Sequence, residues 1–371
     1  MKRTHGAIDK KDRRPVRLQE IAEHCGLSRI AVSYALRGDR ANVSQETITR
    51  VQRAARKLGY DPSAAHAARR LRYQRTPGHV VNHLTAAFYP HTNLHEHYWA
   101  SILEGLQYGF FENRFGMLSC AVWPQAGDIG AQLPELFRRG DVDGAVIFPT
   151  EQYRENLVKA LRAEPGFGAR PIVTLLETLP GCSSVQVDDN QAGYLAARHL
   201  LDLGHRHLMT FASPRYTSPI VTNRIAGQRR AYAERGLNSD HFLHTVNWLW
   251  DPEPGIRAAL EHALADFPRV TGILCPNDGF GVQLVPVLRH LGRRIPDDIS
   301  LIGVDDSEAL PDAGGENRWT TVRLPLREVG RAGAELLLAR VTGGAEGTED
   351  RVLPPELVVR GSTGPPASPA A

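Results

Sequence analysis

Two stretches of this sequence end in side chains that could do chemistry. "GILCPND" carries an apolar run into Asn277 and Asp278, and "ISLIGVDD" carries another into Asp305 and Asp306. A carboxylate or amide at the end of a strand accepts hydrogen bonds from neighbouring hydroxyls, which is the chemistry of polyol recognition. The plainer alternative is that some of these residues cap the next helix, and that is the expectation for Asp306. In "VNWLWDPEPG", Trp248 and Trp250 offer rings that could stack on the C–H face of a sugar or simply pack in a core. His91, His95 and His97 are of metal-ligand type, but i, i+2 spacing splits them across a helix and only Glu96 stands near as an acidic partner. No metal and no cofactor are expected.

Reaction motifs are missing. The chain has no G-x-x-x-x-G-K-[ST], G-x-S-x-G, H-E-x-x-H or G-x-G-x-x-G, so neither a phosphate cradle, a nucleophile elbow nor a zinc helix is offered. Asp278 and Asp305 could in principle form an acid/base pair, but the expected role is binding, without catalysis.

These residues need a parallel sheet to position them. From residue 79, strand-like runs alternate with helical patterns: "VVNHLTAAFYP", "GMLSCAVW", "GAVIFP", "PIVTLL", "SVQVDD", "HLMTFAS", "FLHTVNW", then "GILCPND" and "ISLIGVDD". Alternation of this kind predicts an α/β core, and nine runs suffice for two doubly wound subdomains. In open α/β sheets ligands gather beyond the carboxyl ends of the strands, where the two candidate stretches end.

A second chemistry occupies the other end of the chain. Residues 1–75 hold 18 Lys and Arg against 7 Asp and Glu, whereas the remainder holds 26 against 34. The overall charge of +3 therefore hides a cationic front suited to a polyanion and an anionic body. The front is also patterned. Leu18, Ile21, Ala22 and Cys25 share one helical face that Gly26 ends. Ser28 can cap a second helix, in which Ile30 or Ala31, Val32 and Leu36 pack while Arg29, Ser33 and Tyr34 project. Ser44 caps a third with Ile48, Val51, Ala55 and Leu58 on its stripe, stopped by Gly59. Three such helices make a small helix-turn-helix core whose second helix can enter a DNA major groove.

No stretch approaches the length of a membrane span, and "MKRTHGAIDKKDRRP" is charged where a signal peptide is apolar, so a cytoplasmic protein is expected. Cys25, Cys120, Cys182 and Cys275 are scattered, which favours buried reduced thiols.

The stretches "VRLQEIAEHCGLSRIAVSYALRG" and "VSQETITRVQRAARKLGYDPS" closely resemble the amino-terminal domain of LacI/GalR transcriptional regulators. The likeness continues in "SSVQVDDNQAGYLAARHLLDLGHRHLMTFAS", "NRIAGQRRAYAERGL", "IPDDISLIGVDDSEAL" and "WTTVRLPLREVGRAGAELLL". It implies a helix-turn-helix domain joined by a hinge to a two-subdomain core of the type I periplasmic-binding-protein fold. The expected divisions are a basic tail (1–15), the DNA-binding domain (16–60), the hinge (61–78), the core (79–364) and a tail (365–371). Within the core, the first subdomain would take about 79–180 and 321–343, and the second about 181–320 and 344–363.

The resemblance implies that Ser28, Arg29, Ile30 and Ser33 lie on the recognition helix, with Arg29 and Ile30 at base-reading positions; arginine can bond guanine bidentately. Two residues depart from the pattern. Arg17 replaces a small capping residue, and Tyr34 replaces an arginine that contacts DNA in many members, so an operator unlike the family's commonest is expected. The hinge's minor-groove leucine would fall at position 69, which is arginine. Leu71 is two residues away and so turned by about 200° on a helix. Either the register shifts, or Arg69, Arg70 and Leu71 form a basic linker on phosphates.

For the core, the resemblance implies an effector cleft contacted by Asn93, Tyr98 and Trp99 from the first subdomain. Arg224, Asn277, Asp278 and Asp305 would serve from the second, with Trp250 as the aromatic candidate. "GHRH" at 204–207 resembles a helix-to-strand turn with locally bonded histidines. The function implied is that of a sequence-specific regulator, most readily a repressor. It would bind double-stranded, pseudo-palindromic operator DNA as a homodimer and be controlled by a small molecule, expected to be carbohydrate. A solute-binding sensor without DNA regulation is the alternative, but it leaves the basic helical end without purpose.

Overall fold

The computed structural model describes residues 16, 18–37, 42–60, 80, 82–90, 97–122, 129–148, 154–212, 219–247, 255–343 and 347–367. At the amino end stand α1 (Leu18–Cys25), α2 (Arg29–Arg37) and α3 (Gln45–Leu58). Their core is Ile21, Ala22, Val32, Ala35, Ile48, Val51, Ala54 and Ala55. The caps follow the sequence: Ser28 Oγ accepts from Ala31 N at 3.2 Å, Ser44 Oγ accepts from Thr47 N, and Gly26 and Gly59 end their helices at φ +61° and +73°. Neither Ile30 nor Ala31 enters the core. Ala35 does so with Val32, one turn apart, and this leaves Ile30 67% exposed.

The body follows in the order β1 (Leu84–Pro90), α4 (His97–Glu112), β2 (Gly116–Val122), β3 (Gly144–Ile147), α5 (Arg154–Ala163), β4 (Ile172–Leu175), β5 (Ser183–Val187), α6 (Asp189–Asp202) and β6 (Leu208–Ala212). Then come α7 (Pro219–Ala233), β7 (Leu243–Asn247), α8 (Gly255–Asp266), β8 (Gly272–Leu274), α9 (Asp278–His290), β9 (Ser300–Asp305), β10 (Thr321–Arg323), α10 (Leu326–Gly343), β11 (Asp350–Leu353) and β12 (Glu356–Val358). One sheet has the order β11-β5-β4-β3-β1-β2 and is parallel throughout. The other has the order β12-β10-β9-β8-β6-β7, with only the β12–β10 pair antiparallel.

The chain passes between the sheets three times, after Val187, after Arg323 and after Leu353. This corrects the expected subdomain limits. Residues 183–187 belong to the first sheet because β5 pairs with β4, residues 321–323 belong to the second because β10 pairs with β9, and 350–353 return to the first beside β5. Helix α10 packs on α4 and on the first sheet.

Two helix pairs approach backbone to backbone. A methyl group on Gly105 of α4 would overlap the Arg327 carbonyl, and one on Gly330 would overlap that of Ile102; Gly193 of α6 and Gly227 of α7 face the carbonyls of Arg224 and Asn190 in the same way. Only glycine permits this separation. The contact between α6 and α7 brings together two charged residues of the site described next.

All four cysteines are free thiols, three of them buried and Cys25 half-buried. No helix among the described residues is long and apolar enough to cross a membrane. His205 departs from the expected local bonding. It is buried, with Nδ1 at 2.7 Å from Thr271 Oγ1 and Nε2 at 2.9 Å from Gly364 O, and so ties the chain's end to the second sheet.

Candidate functional site

On α2, Arg29, Ile30, Ser33 and Tyr34 fall at i, i+1, i+4 and i+5, one side of the helix, opposite the buried Val32 and Ala35. Ser28 spends its hydroxyl on the cap, Arg29 and Ile30 are exposed, and Ser33 and Tyr34 are half-buried. Arg29 makes no ion pair among the described residues. This face can present a guanidinium and an aliphatic side chain to a groove. Arg69, Arg70 and Leu71 lie outside the described residues.

A cleft of about 670 Å³ opens between the two sheets beyond their strand ends. The first subdomain lines it with the opening turn of α4 (His97, Tyr98 and Trp99) and with Leu176 after β4. The second lines it with Ile220, Val221 and Arg224 of α7, Pro276 and Asn277 before α9, and Asp305 at the end of β9. Tyr98 and Trp99 meet edge to face with centroids 5.0 Å apart. The volume is in the usual range for a small-molecule site.

Arg224 organises the polar side. Its Nε donates to Asp189 Oδ1 at 2.9 Å, its Nη1 donates to the Pro276 carbonyl at 2.5 Å, and its Nη2 stands 3.7 Å from Asp305 Oδ1. Burial alone would lower the guanidinium's affinity for its proton, but the carboxylates of Asp189 and Asp305 outweigh that and raise it. Burial pushes the Asp189 and Asp305 carboxyls up despite Arg224, Asp305 well above the usual range. Burial likewise raises the Tyr98 hydroxyl, which feels the charges of Asp305, Arg224, Asp189 and Glu177. Groups from both subdomains thus share one electrostatic environment.

Asp305 has the features of a residue held for use. Its side chain is 92% buried, its Oδ1 has no hydrogen-bond partner among the described residues, and its backbone sits at φ +118°, a region that favours glycine. Leu176 across the cleft is also left-handed, at φ +63°. A buried acceptor without a donor is costly, and a hydroxyl from outside can satisfy it.

Not every expected residue comes to the cleft. Asp278 is fully buried and turned away. Its Oδ1 accepts from Trp319 Nε1 and Thr321 Oγ1, both at 2.8 Å, and its Oδ2 accepts from Ser307 N at 3.0 Å, so it braces the β9–β10 region and does not line the cavity. Asn277 lines the cleft but commits Oδ1 to capping α9 through Phe280 N at 2.7 Å. Asp306 caps no helix; it pairs with Arg323 and Arg360, each at 2.8 Å. Asn93, Trp248 and Trp250 lie outside the described residues, as do His91 and His95. His97 lines the cleft and contacts Ser101, and no group of three metal-ligating side chains occurs among the described residues.

Sequence reasoning passed over Asp189 as a site residue, although "SVQVDD" has the same form, a strand run ending in carboxylates, that singled out Asp305. The apolar lining of Leu176, Ile220 and Val221 carried no signal that separates it from core.

Comparison with known proteins bears on both regions. Residues 17–63 match the family model described as bacterial regulatory proteins, lacI family, and residues 197–363 match the periplasmic binding protein-like domain. The HTH-type transcriptional regulator AglR of Rhizobium meliloti (strain 1021) is 31% identical over 360 residues, covering 95% of each chain. Among solved structures, a complex of the transcriptional regulator CelR with cellobiose superposes with a TM-score of 0.62 at 26% identity, covering 94% of this chain and 100% of that one. A LacI family regulator from Enterococcus faecium with bound ribose gives 0.59 at 26% identity, covering 76% and 99%. With α1–α3 followed by the two-sheet body, and with a relative of that identity spanning nearly its full length, the chain belongs to the LacI family of bacterial transcriptional regulators.

Proposed function

We propose that this regulator binds an uncharged, polyhydroxylated effector, a carbohydrate, in the cleft, and represses transcription from an operator read by the exposed face of α2. The observation that carries the effector class is the balance of charge: one guanidinium already held by Asp189 and the Pro276 carbonyl, and a buried Asp305 oxygen without a donor. A hydroxyl can donate to that oxygen, whereas a phosphoryl group would meet two carboxylates and find no free cation. Tyr98 and Trp99 offer ring faces to the sugar's C–H side. That CelR binds cellobiose and the Enterococcus faecium protein ribose, in the same fold, favours this reading.

Arg29 and Ile30 would read bases in the major groove, Ser28, Ser33 and Tyr34 would hold adjacent contacts, and Arg69, Arg70 and Leu71 would engage the minor groove or its phosphates. The protein acts in the cytoplasm as a homodimer on a pseudo-palindromic operator, and the ligand leaves the cleft chemically unchanged. Closure of the cleft by the sugar alters operator affinity.

Isothermal titration with a panel of neutral mono- and disaccharides tests the assignment. At least one sugar should bind the wild type and bind Asp305→Ala at least tenfold more weakly, and it should change the operator gel shift. Unchanged affinity in Asp305→Ala would remove Asp305 from the site.

A further inference from the structure

We infer that the second subdomain carries another site, for a small metabolite bearing a phosphoryl group, in a groove of about 510 Å³ distinct from the cleft. Four arginines line it: Arg289 in the last turn of α9, Arg293 and Arg294 just beyond Gly292, and Arg318 in the segment before β10. The only carboxylate in the lining is Asp312, whose Oδ1 is occupied by the backbone N–H groups of Gly314 and Glu316 at 2.8 and 3.0 Å. Arg294 is held by Asp298 at 3.0 Å, but Arg289 and Arg293 make no ion pair among the described residues. Arg318 donates to the Gly361 carbonyl at 2.9 Å, and a methyl group on Gly361 would stand 2.6 Å from its Nε, so glycine leaves the guanidinium room.

The convergence stands against the charge of its surroundings, since residues 76–371 carry 26 basic against 34 acidic side chains. A helix C-terminus attracts cations, but that accounts for Arg289 alone; Arg293 and Arg318 come from other segments. Guanidinium forks match phosphoryl oxygens bidentately, and the groove's volume suits a metabolite, with Val285, Ile295 and Leu310 available to its apolar part. The groove shares two elements with the cleft. Helix α9 begins at the cleft with Gly279 and ends at the groove with Arg289, and the segment after β9 contributes Ser307 and Glu308 to the first and Leu310 and Asp312 to the second.

The full-length protein is titrated calorimetrically, at matched ionic strength, with glucose 6-phosphate, pyrophosphate, glucose and sodium sulfate. Saturable binding of a phosphoryl probe is expected, weakened at least tenfold in the Arg289→Gln/Arg293→Gln double variant and retained in Asp305→Ala. Both arginines are exposed, so the double variant should keep the wild-type melting temperature and operator affinity. Sulfate binding as tightly as the phosphoryl probes would reduce the groove to a site for an adventitious ion only and overturn the inference. So would loss of binding in Asp305→Ala with retention in the double variant, which would assign the probe to the cleft, or no saturable binding at all.

Discussion

At the scale of single residues, the chain separates side chains that face outward from side chains that hold the frame, even where they are adjacent. Arg29 stands exposed on α2, and truncating it to Ala should cost about 1–3 kcal/mol of binding to the cognate operator while leaving binding to random DNA nearly unchanged. Equal losses on the two DNAs, measured by fluorescence anisotropy at one salt concentration, would make Arg29 a phosphate contact. Asp278 belongs to the frame. Asp278→Ala should destabilise the fold by on the order of 3 kcal/mol in urea unfolding, because Trp319 Nε1, Thr321 Oγ1 and Ser307 N would each lose a buried acceptor. A stable Asp278→Ala protein that had lost only effector binding would contradict this. The sequence made Asn277, Asp278 and Asp305 equivalent, as polar residues at strand ends. What separates them is the direction each side chain takes at the start of α9 or the end of β9, and that depends on Trp319 and Thr321, some forty residues away.

At the scale of elements, the site depends on how closely α6 and α7 approach. Asp189 begins the first and Arg224 sits in the second, and their 2.9 Å bond exists because Gly193 and Gly227 let the backbones touch. Gly227→Ala should force the helices apart, cost roughly 1–3 kcal/mol of stability, and lower effector affinity at least tenfold, while operator binding by the unliganded protein persists. Calorimetry and gel shift on the same preparation check the two halves; unchanged effector affinity would show that the ion pair tolerates the wider spacing. All nine apolar runs read from the sequence became strands β1–β9, and even the shortest, β3, β4 and β8, are buried throughout. Strands β10, β11 and β12 escaped notice because each carries an exposed charged residue within its three or four positions, Arg323, Asp350 and Glu356, and the polar alternation of "DRVL" at 350–353 is that of a half-exposed edge. Without them the chain's passages between sheets were misplaced. The glycine contacts were equally hidden, since a glycine inside a helix pattern does not announce which carbonyl it faces.

At the scale of the whole molecule, the second subdomain is closed by residues 362–364, and the half-buried His199 and the buried His205 fasten that closure. His199 Nε2 meets Thr363 Oγ1 at 2.9 Å, and His205 bridges Thr271 and Gly364; Ser362 Oγ receives the Thr320 N–H at 2.8 Å and donates to the Leu301 carbonyl. Burial lowers the proton affinity of both rings relative to an exposed imidazole, against the smaller opposing pull of Asp202 on His199 and of the Gly364 carbonyl on His205. The unfolded chain therefore takes up protons at a higher pH than the folded one, near 6.5. Stability from the neutral histidines is complete above that pH and is lost as the pH falls through and below it. The wild-type urea midpoint should fall relative to that of His205→Gln between pH 7.5 and pH 5.5, since the variant keeps a donor and an acceptor but does not titrate there and should be the less stable protein at pH 7.5. The Asp189, Asp278 and Asp305 carboxyls, raised by burial, act in the opposite sense and equally in both proteins. The His207 and His244 rings are also lowered by burial, but they stack side by side 6.1 Å apart away from the chain's end, so they contribute a background slope shared by both proteins. Parallel pH profiles for wild type and His205→Gln would mean that acid opens the molecule elsewhere.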